Sequence, residues 1–135
     1  MQVNAYLNFN GNCAEAFRFY AELFKAKIDQ MMTHKDIPPG VNMPNIEQWR
    51  DKVLHVSLKG EGFELAGSDT PPAYYEKPQG MVVSIGVTDP KEAERLFTAL
   101  SEKGSVRMPL EKTFWAQKYG MCTDRFGIPW MINCP

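Results

Sequence analysis

The chain has 135 residues, 44% of them hydrophobic and 23% charged, which suits one globular domain with a hydrophobic core. Its net charge of −1, without a run of Lys or Arg, argues against nucleic acid or an anionic membrane as a partner, and no apolar stretch reaches the roughly 18 residues of a membrane span. Three separated cysteines and an N-terminus without a secretion signal predict a cytoplasmic protein with reduced thiols.

Residues 3–9 alternate between apolar and polar side chains, which predicts a strand with one face on a core and one polar face. The polar face carries Asn4, Tyr6 and Asn8. A helix is predicted over Gly11–Ala26, where Asn12 is the expected N-cap and Glu15 completes a capping box.

Three strands complete the first half, and a long loop interrupts them. The strands are predicted at Ile28–Thr33, Lys52–Lys59 and Gly62–Ser68, the last two joined by the turn residues Gly60-Glu61-Gly62. The loop, Lys35–Arg50, is rich in Pro, Gly and Asn. It is either a lid anchored by Met43, Ile46 and Trp49 or a surface excursion.

A Pro-rich linker, Asp69–Gly80, precedes a second half of the same order. A strand at Met81–Thr88 leads into a helix over Pro90–Lys103, with Asp89 as N-cap and Gly104 as its end. Three strands follow, at Ser105–Phe114, Trp115–Thr123 and Ile128–Asn133. Asp124 is read as a residue of the last turn.

The two halves repeat one pattern at a constant spacing. Glu15, Ala16, Arg18 and Leu23 of the first helix recur as Glu92, Ala93, Arg95 and Leu100, each 77 residues later. We therefore predict an α+β fold of two βαβββ modules, about 1–69 and 80–135, in one domain. One helix covers one face of each four-stranded sheet, so we expect the two open faces to enclose a cavity that Val82, Ser84 and Gly86 also line.

Aromatic side chains indicate what such a cavity would hold. Five lie in the last part of the chain, and Tyr6 joins them from the first strand. We assign Trp115 and Trp130 to the cavity, and Phe114 and Phe126 to the core. A wall of aromatic residues suits a small apolar or planar ligand.

The first helix also carries a second apolar stripe. Phe17 and Phe24 have Glu94 and Ser101 as their counterparts 77 residues on. A helix with two apolar sides needs two partners, so this stripe is predicted to pack on another subunit or under the long loop.

The stretches YLNFNGNCAEAFRFY, HVSLKG, LAGSD and above all MPLEKTFWAQKYGMCTDRFGIPWMIN resemble the PhnB-like branch of the vicinal oxygen chelate superfamily. That superfamily also holds glyoxalase I, extradiol dioxygenases and bleomycin-resistance proteins. The resemblance covers nearly the whole chain and implies paired βαβββ modules, usually with the cavity completed in a homodimer.

The resemblance also implies where a divalent metal ion would bind. Register maps the metal ligands of the superfamily onto Asn4, Glu64, Val82 and Met131, and only Glu64 is a good ligand. The usual metal site is therefore expected to be missing. His55, on the predicted face of Ser57, can form an acid/base pair or a partial metal site with Glu64, or serve the structure alone.

The sequence therefore favours a small-molecule-binding protein without a cofactor, with Tyr6, Asn8, His55, Glu64, Trp115 and Trp130 as ligand contacts. The alternative is an enzyme, a lyase, isomerase or dioxygenase, that uses a divalent metal ion held by His55 and Glu64.

Overall fold

The computed structural model describes residues 1–41 and 47–135. They form two compact units, Met1–Glu76 and Lys77–Pro135. Each unit has the order strand, helix, strand, strand, strand, which confirms the predicted α+β class and the paired βαβββ modules. Two of the proposed lid anchors, Met43 and Ile46, lie outside the described residues.

The first unit is one four-stranded sheet with a helix on one face. Its elements are β1 (Ala5–Phe9), α1 (Cys13–Leu23), β2 (Lys27–Thr33), β3 (Val53–Gly60) and β4 (Phe63–Asp69). The strand order is β1-β4-β3-β2, in which β1 runs parallel to β4 and the other pairs are antiparallel. Gly62 adopts a φ of 80° in the tight turn between β3 and β4, a conformation that favours glycine.

The second unit has the same topology. Its elements are β5 (Val83–Gly86), α2 (Pro90–Ser101), β6 (Ser105–Glu111), β7 (Lys118–Thr123) and β8 (Pro129–Cys134). The strand order is β5-β8-β7-β6, again with one parallel pair. Neither α1 nor α2 is long and apolar enough to cross a membrane.

Both helices bury the stripe that the sequence repeats. Ala16, Tyr20 and Leu23 of α1 are buried, as are Ala93, Phe97 and Leu100 of α2, each 77 residues later. Both helices also end earlier than predicted, at Leu23 and Ser101. The chain reverses there through a left-handed residue, Lys25 with φ 54° or Lys103 with φ 60°.

The first helix is capped differently from the sequence prediction. The side chain of Asn12 makes no capping hydrogen bond. Instead, the buried Asp69 carboxylate at the end of β4 accepts hydrogen bonds from the backbone N–H groups of Gly11 (2.9 Å), Cys13 (3.0 Å) and Val53 (2.8 Å). A residue distant in sequence thus satisfies donors at the start of α1. The second predicted cap is confirmed, because the Asp89 carboxylate accepts from Lys91 N–H at 2.9 Å.

The second apolar stripe of α1 has its partners within its own unit. Phe17 is fully buried, 5.8 Å from the Phe9 ring and 5.7 Å from the Tyr20 ring. Gly67 of β4 lies directly beneath it, since a Cβ built there would come within 2.8 Å of Phe17 Cε2. The ring of Phe24 is 6.0 Å from that of Phe63. The prediction that Phe17 packs on another subunit or under the long loop was therefore wrong.

Candidate functional site

The sheet of the first unit has one face without a helix, and we call it the first open face. On β4, Leu65, Gly67 and Asp69 are buried on the helix side, so the intervening Glu64, Ala66 and Ser68 lie on the first open face. Their register partners lie there as well. These partners are Tyr6 and Asn8 on β1 and Ser57 and Lys59 on β3.

Tyr6 and His55 meet across this face. The Tyr6 hydroxyl lies 3.2 Å from His55 Nδ1, and the two rings stack at 5.8 Å between centroids with 26° between their planes. Ala66 lies on the intervening strand, where it pairs with Tyr6 on one side and with Ser57, two residues from His55, on the other. Its methyl group places little bulk beside this contact across β4. Sequence reasoning missed this role, although Ala66 stands out in the run LAGSD as a small residue on a polar face.

The contact defines what the histidine can do. When Nδ1 accepts the hydroxyl proton of Tyr6, the neutral ring carries its own proton on Nε2 and donates from there. Within the described residues His55 makes no other hydrogen bond, so Nε2 is available to a ligand. Tyr6 remains 50% exposed. In that tautomer the pair offers a planar surface with a hydrogen-bond donor at its edge.

Glu64 lies apart from this pair. Glu64 of β4 is paired in register with Lys59 of β3. His55 lies four residues before Lys59, which is about 13 Å along β3 at the usual strand rise. Side chains stand roughly perpendicular to a sheet, so this separation does not favour one ion bound by both. In the described part of the chain, no three His, Cys, Asp or Glu side chains form a group that could hold a metal ion. His55 and Glu64 thus do not fit the shared metal site considered from the sequence.

The mapped metal positions belong to both units, two to each. Asn4 and Glu64 line one shallow cavity of about 440 Å³, where Lys59 supplies a cation. Val82 precedes β5, and Met131 lies on β8 with its sulfur 3.0 Å from the Tyr119 hydroxyl. A thioether is a poor ligand for a hard divalent ion.

In the second unit the aromatic side chains separate into two groups. Trp130 is only 1% exposed, and its indole N–H donates to Asp124 Oδ2 at 2.8 Å. It lies with Ile132 on the helix side of the sheet, which corrects its predicted position in a cavity wall. Phe126 is buried as predicted, but Phe114 is 97% exposed and does not belong to the core. Trp115 is 52% exposed, with its ring 4.8 Å from Phe114 and 5.2 Å from Tyr119.

Asp124 and the cysteines serve the structure. The Asp124 carboxylate accepts from Phe126 N–H and Ile128 N–H, both at 2.9 Å, which confirms it as a turn residue. Burial, with a smaller contribution from Asp124, raises the pKa of the Cys122 thiol to about 11. Burial and then Asp69 raise the pKa of Cys13 far above its ordinary value. Neither thiol is an activated nucleophile.

The raised pKa of Cys122 predicts a loss of stability in alkali. The thiol loses its proton at a lower pH in the unfolded chain, near the ordinary pKa of 9.0, than in the folded protein, near 11. The free energy of unfolding is therefore unaffected below pH 9.0 and falls as the pH rises from 9.0 to about 11. We expect the unfolding free energy of the wild type to fall by up to about 2 kcal/mol more than that of Cys122→Ala between pH 7.5 and pH 10.5, measured by urea unfolding. Parallel losses in the two proteins would contradict this.

Comparison with known proteins agrees with this architecture. Residues 1–133 match the family model described as 3-demethylubiquinone-9 3-methyltransferase. The chain is 30% identical to Protein YjdN of Escherichia coli (strain K12) over 139 residues, covering 98% of this chain and 95% of YjdN.

Two solved structures are similar to nearly the whole chain. Protein PA1353 of Pseudomonas aeruginosa is 46% identical with a TM-score of 0.88, over 99% of this chain and 97% of PA1353. A putative 3-demethylubiquinone-9 3-methyltransferase, PhnB protein, from Bacillus cereus is 22% identical with a TM-score of 0.82 and shares the fold over 100% of both chains. The family match extends from the first residue into β8, and the chain belongs to the family described as 3-demethylubiquinone-9 3-methyltransferase.

Proposed function

We propose that the protein binds a small molecule on the first open face, with Tyr6 and His55 as its anchors. The observation that carries the proposal is the 3.2 Å contact between the Tyr6 hydroxyl and His55 Nδ1 above Ala66. The contact fixes the two rings against each other at the surface, since neither Tyr6 nor His55 is buried in the core. Two aromatic rings fixed in this way at the surface provide a contact area that costs little side-chain entropy on binding.

The arrangement of the pair suggests the class of ligand. The two ring faces suit a planar group, and a proton on His55 Nε2 suits an acceptor oxygen of a carbonyl, phenolate or carboxylate. Asn8 lies on the same face of β1, two residues after Tyr6, and is the next side chain on that face. Glu64 and the half-exposed Trp115 stay proposed ligand contacts outside this pair, whereas the buried Trp130 is not proposed again.

The enzymatic alternative is a lyase, isomerase or dioxygenase with a divalent ion on His55 and Glu64. The separation of the two residues, about 13 Å along the strand, does not favour it. The methyltransferase of the family description is also not proposed. No glycine-rich nucleotide-binding loop of the GxGxxG kind follows any strand of the sequence.

A homodimer stays part of the proposal. The support for it is now the exposure of Phe114 and Trp115 at the tip between β6 and β7, rather than Phe17. Light scattering of the unmodified protein gives its mass directly.

The binding proposal can be tested with two planar probes, 1-naphthoate and 2-naphthol, titrated by NMR. We expect the ring signals of Tyr6 and His55 to shift in a saturable way with at least one probe. Loss of one hydrogen bond in Tyr6→Phe is expected to weaken that binding about 3- to 10-fold, and His55→Gln removes a ring face as well.

The matched controls are Tyr74→Phe and His34→Gln, which change the same residue types elsewhere in the first unit. Their affinities should equal that of the wild type. Absence of saturable shifts with both probes, or equal losses in the control variants, would overturn the proposed anchor site.

A further inference from the structure

The sheet of the second unit carries a row of methionines that the proposed function does not use. Met121 on β7 is directly paired with Met131 on β8 and with Met108 on β6. Three of the eight methionines of the chain thus stand side by side on three neighbouring strands. We call these three residues the methionine row.

The methionine row lies on the face of the sheet opposite α2. Gly120 and Cys122, on either side of Met121, are buried, and a Cβ at Gly120 would come within 3.0 Å of Phe97 of α2. Trp130 and Ile132, on either side of Met131, are also buried. Because side chains alternate along a strand, Met121 and Met131 point away from the helix. Both are half-buried, and Met108 is 47% exposed.

Strand pairing places Met121 next to each of the other two methionines, with the register of β6 shifted on both sides of Met108. Directly paired residues have Cβ atoms about 4.5–5.5 Å apart, and an unbranched methionine can lean along the row to shorten the separation of the sulfurs. The Met131 sulfur accepts a hydrogen bond from the Tyr119 hydroxyl at 3.0 Å. This contact holds one sulfur at the surface of the sheet and leaves its second lone pair unused.

We propose that Met108, Met121 and Met131 form a three-thioether site for a soft monovalent cation, copper(I) or its chemical analogue silver(I). Thioether sulfur is a neutral soft donor, so it selects such ions over the hard divalent ions that need carboxylate and imidazole ligands. Each strand contributes one ligand, and the rigid sheet sets their spacing. The proposal uses residues of the second unit alone and does not depend on the ligand proposed for Tyr6 and His55.

Silver(I) is a suitable probe, because it binds thioethers without redox chemistry. In protein labelled with ¹³C at the methionine methyl groups, we expect three of the eight methyl signals to shift and to saturate at one silver ion per chain. Met121→Leu keeps the side-chain volume but removes the central sulfur, and it should weaken binding at least about tenfold. Met81→Leu, at an exposed methionine outside the row, should leave it unchanged.

Met108→Leu provides a second test at the most exposed position of the row, where folding is least sensitive. If silver(I) binds the three cysteine thiols instead, the methyl shifts and the affinity will be the same in Met121→Leu and the wild type. That result would contradict the proposal. It would also fail if the methionine row served only as an apolar lining, since leucine would replace the sulfurs without effect.

Discussion

Replacing Asp69 by alanine is expected to lower the free energy of unfolding by about 4 kcal/mol. The buried carboxylate accepts three backbone N–H groups, those of Gly11, Cys13 and Val53. Its removal leaves these three donors without the acceptor they have in the wild type, and the hydrogen bonds of Cys13 and Val53 are buried. Urea unfolding followed by circular dichroism measures the loss.

Two further variants isolate the cause of this loss. Asp69→Asn keeps one acceptor oxygen but places an NH₂ group against a backbone N–H, so we expect it to recover only part of the stability. Asp36→Ala removes an exposed carboxylate that binds Thr33 N–H at 2.8 Å, and it should have a much smaller effect. Similar losses in Asp69→Ala and Asp36→Ala would show that the buried contacts are not what stabilises the first unit.

The second large effect is expected at Phe17, where Phe17→Ala should lower the free energy of unfolding by about 3–4 kcal/mol. The ring is fully buried between Phe9, Tyr20 and Gly67, so alanine leaves a cavity in the core of the first unit. Thermal and urea unfolding both report the change.

Glu94→Ala is the matched control, because Glu94 occupies the equivalent position of α2, 77 residues later. That residue is exposed and makes an ion pair with Lys118 at 3.2 Å, so its loss should cost less than about 1 kcal/mol. Light scattering on the folded fraction of Phe17→Ala should give the mass of the wild type. A shift to a smaller species with unchanged stability would instead place Phe17 in a subunit interface.

Local patterns in the sequence were sufficient for the secondary structure. The order of elements, the repeat of the two helices and the tight turn at Gly60-Glu61-Gly62 all follow from capping residues, side-chain periodicity and turn chemistry. These signals act over a few residues and therefore survive without tertiary context. The helix ends were less accurate, because the left-handed Lys25 and Lys103 carry no signal comparable to glycine.

The candidate site was only partly accessible from the sequence. Tyr6, Asn8 and His55 were correctly placed on a face without a helix, since strand alternation reports faces directly. The sequence did not give the distances between residues on different strands. The separation of His55 and Glu64, for example, depends on how β3 and β4 are paired. The prediction that Trp130 lines a cavity was wrong, because an aromatic residue suits a core and a cavity wall equally well.

The sequence by itself determined two βαβββ units and the faces that their helices bury. Only the tertiary structure decided that Asp69 caps α1, that Phe17 packs on its own sheet, that Tyr6 meets His55 above Ala66 and that three methionines share one row. Each of these contacts joins residues on different elements, and their pairing is set by strand register and core packing rather than by any local preference of the chain.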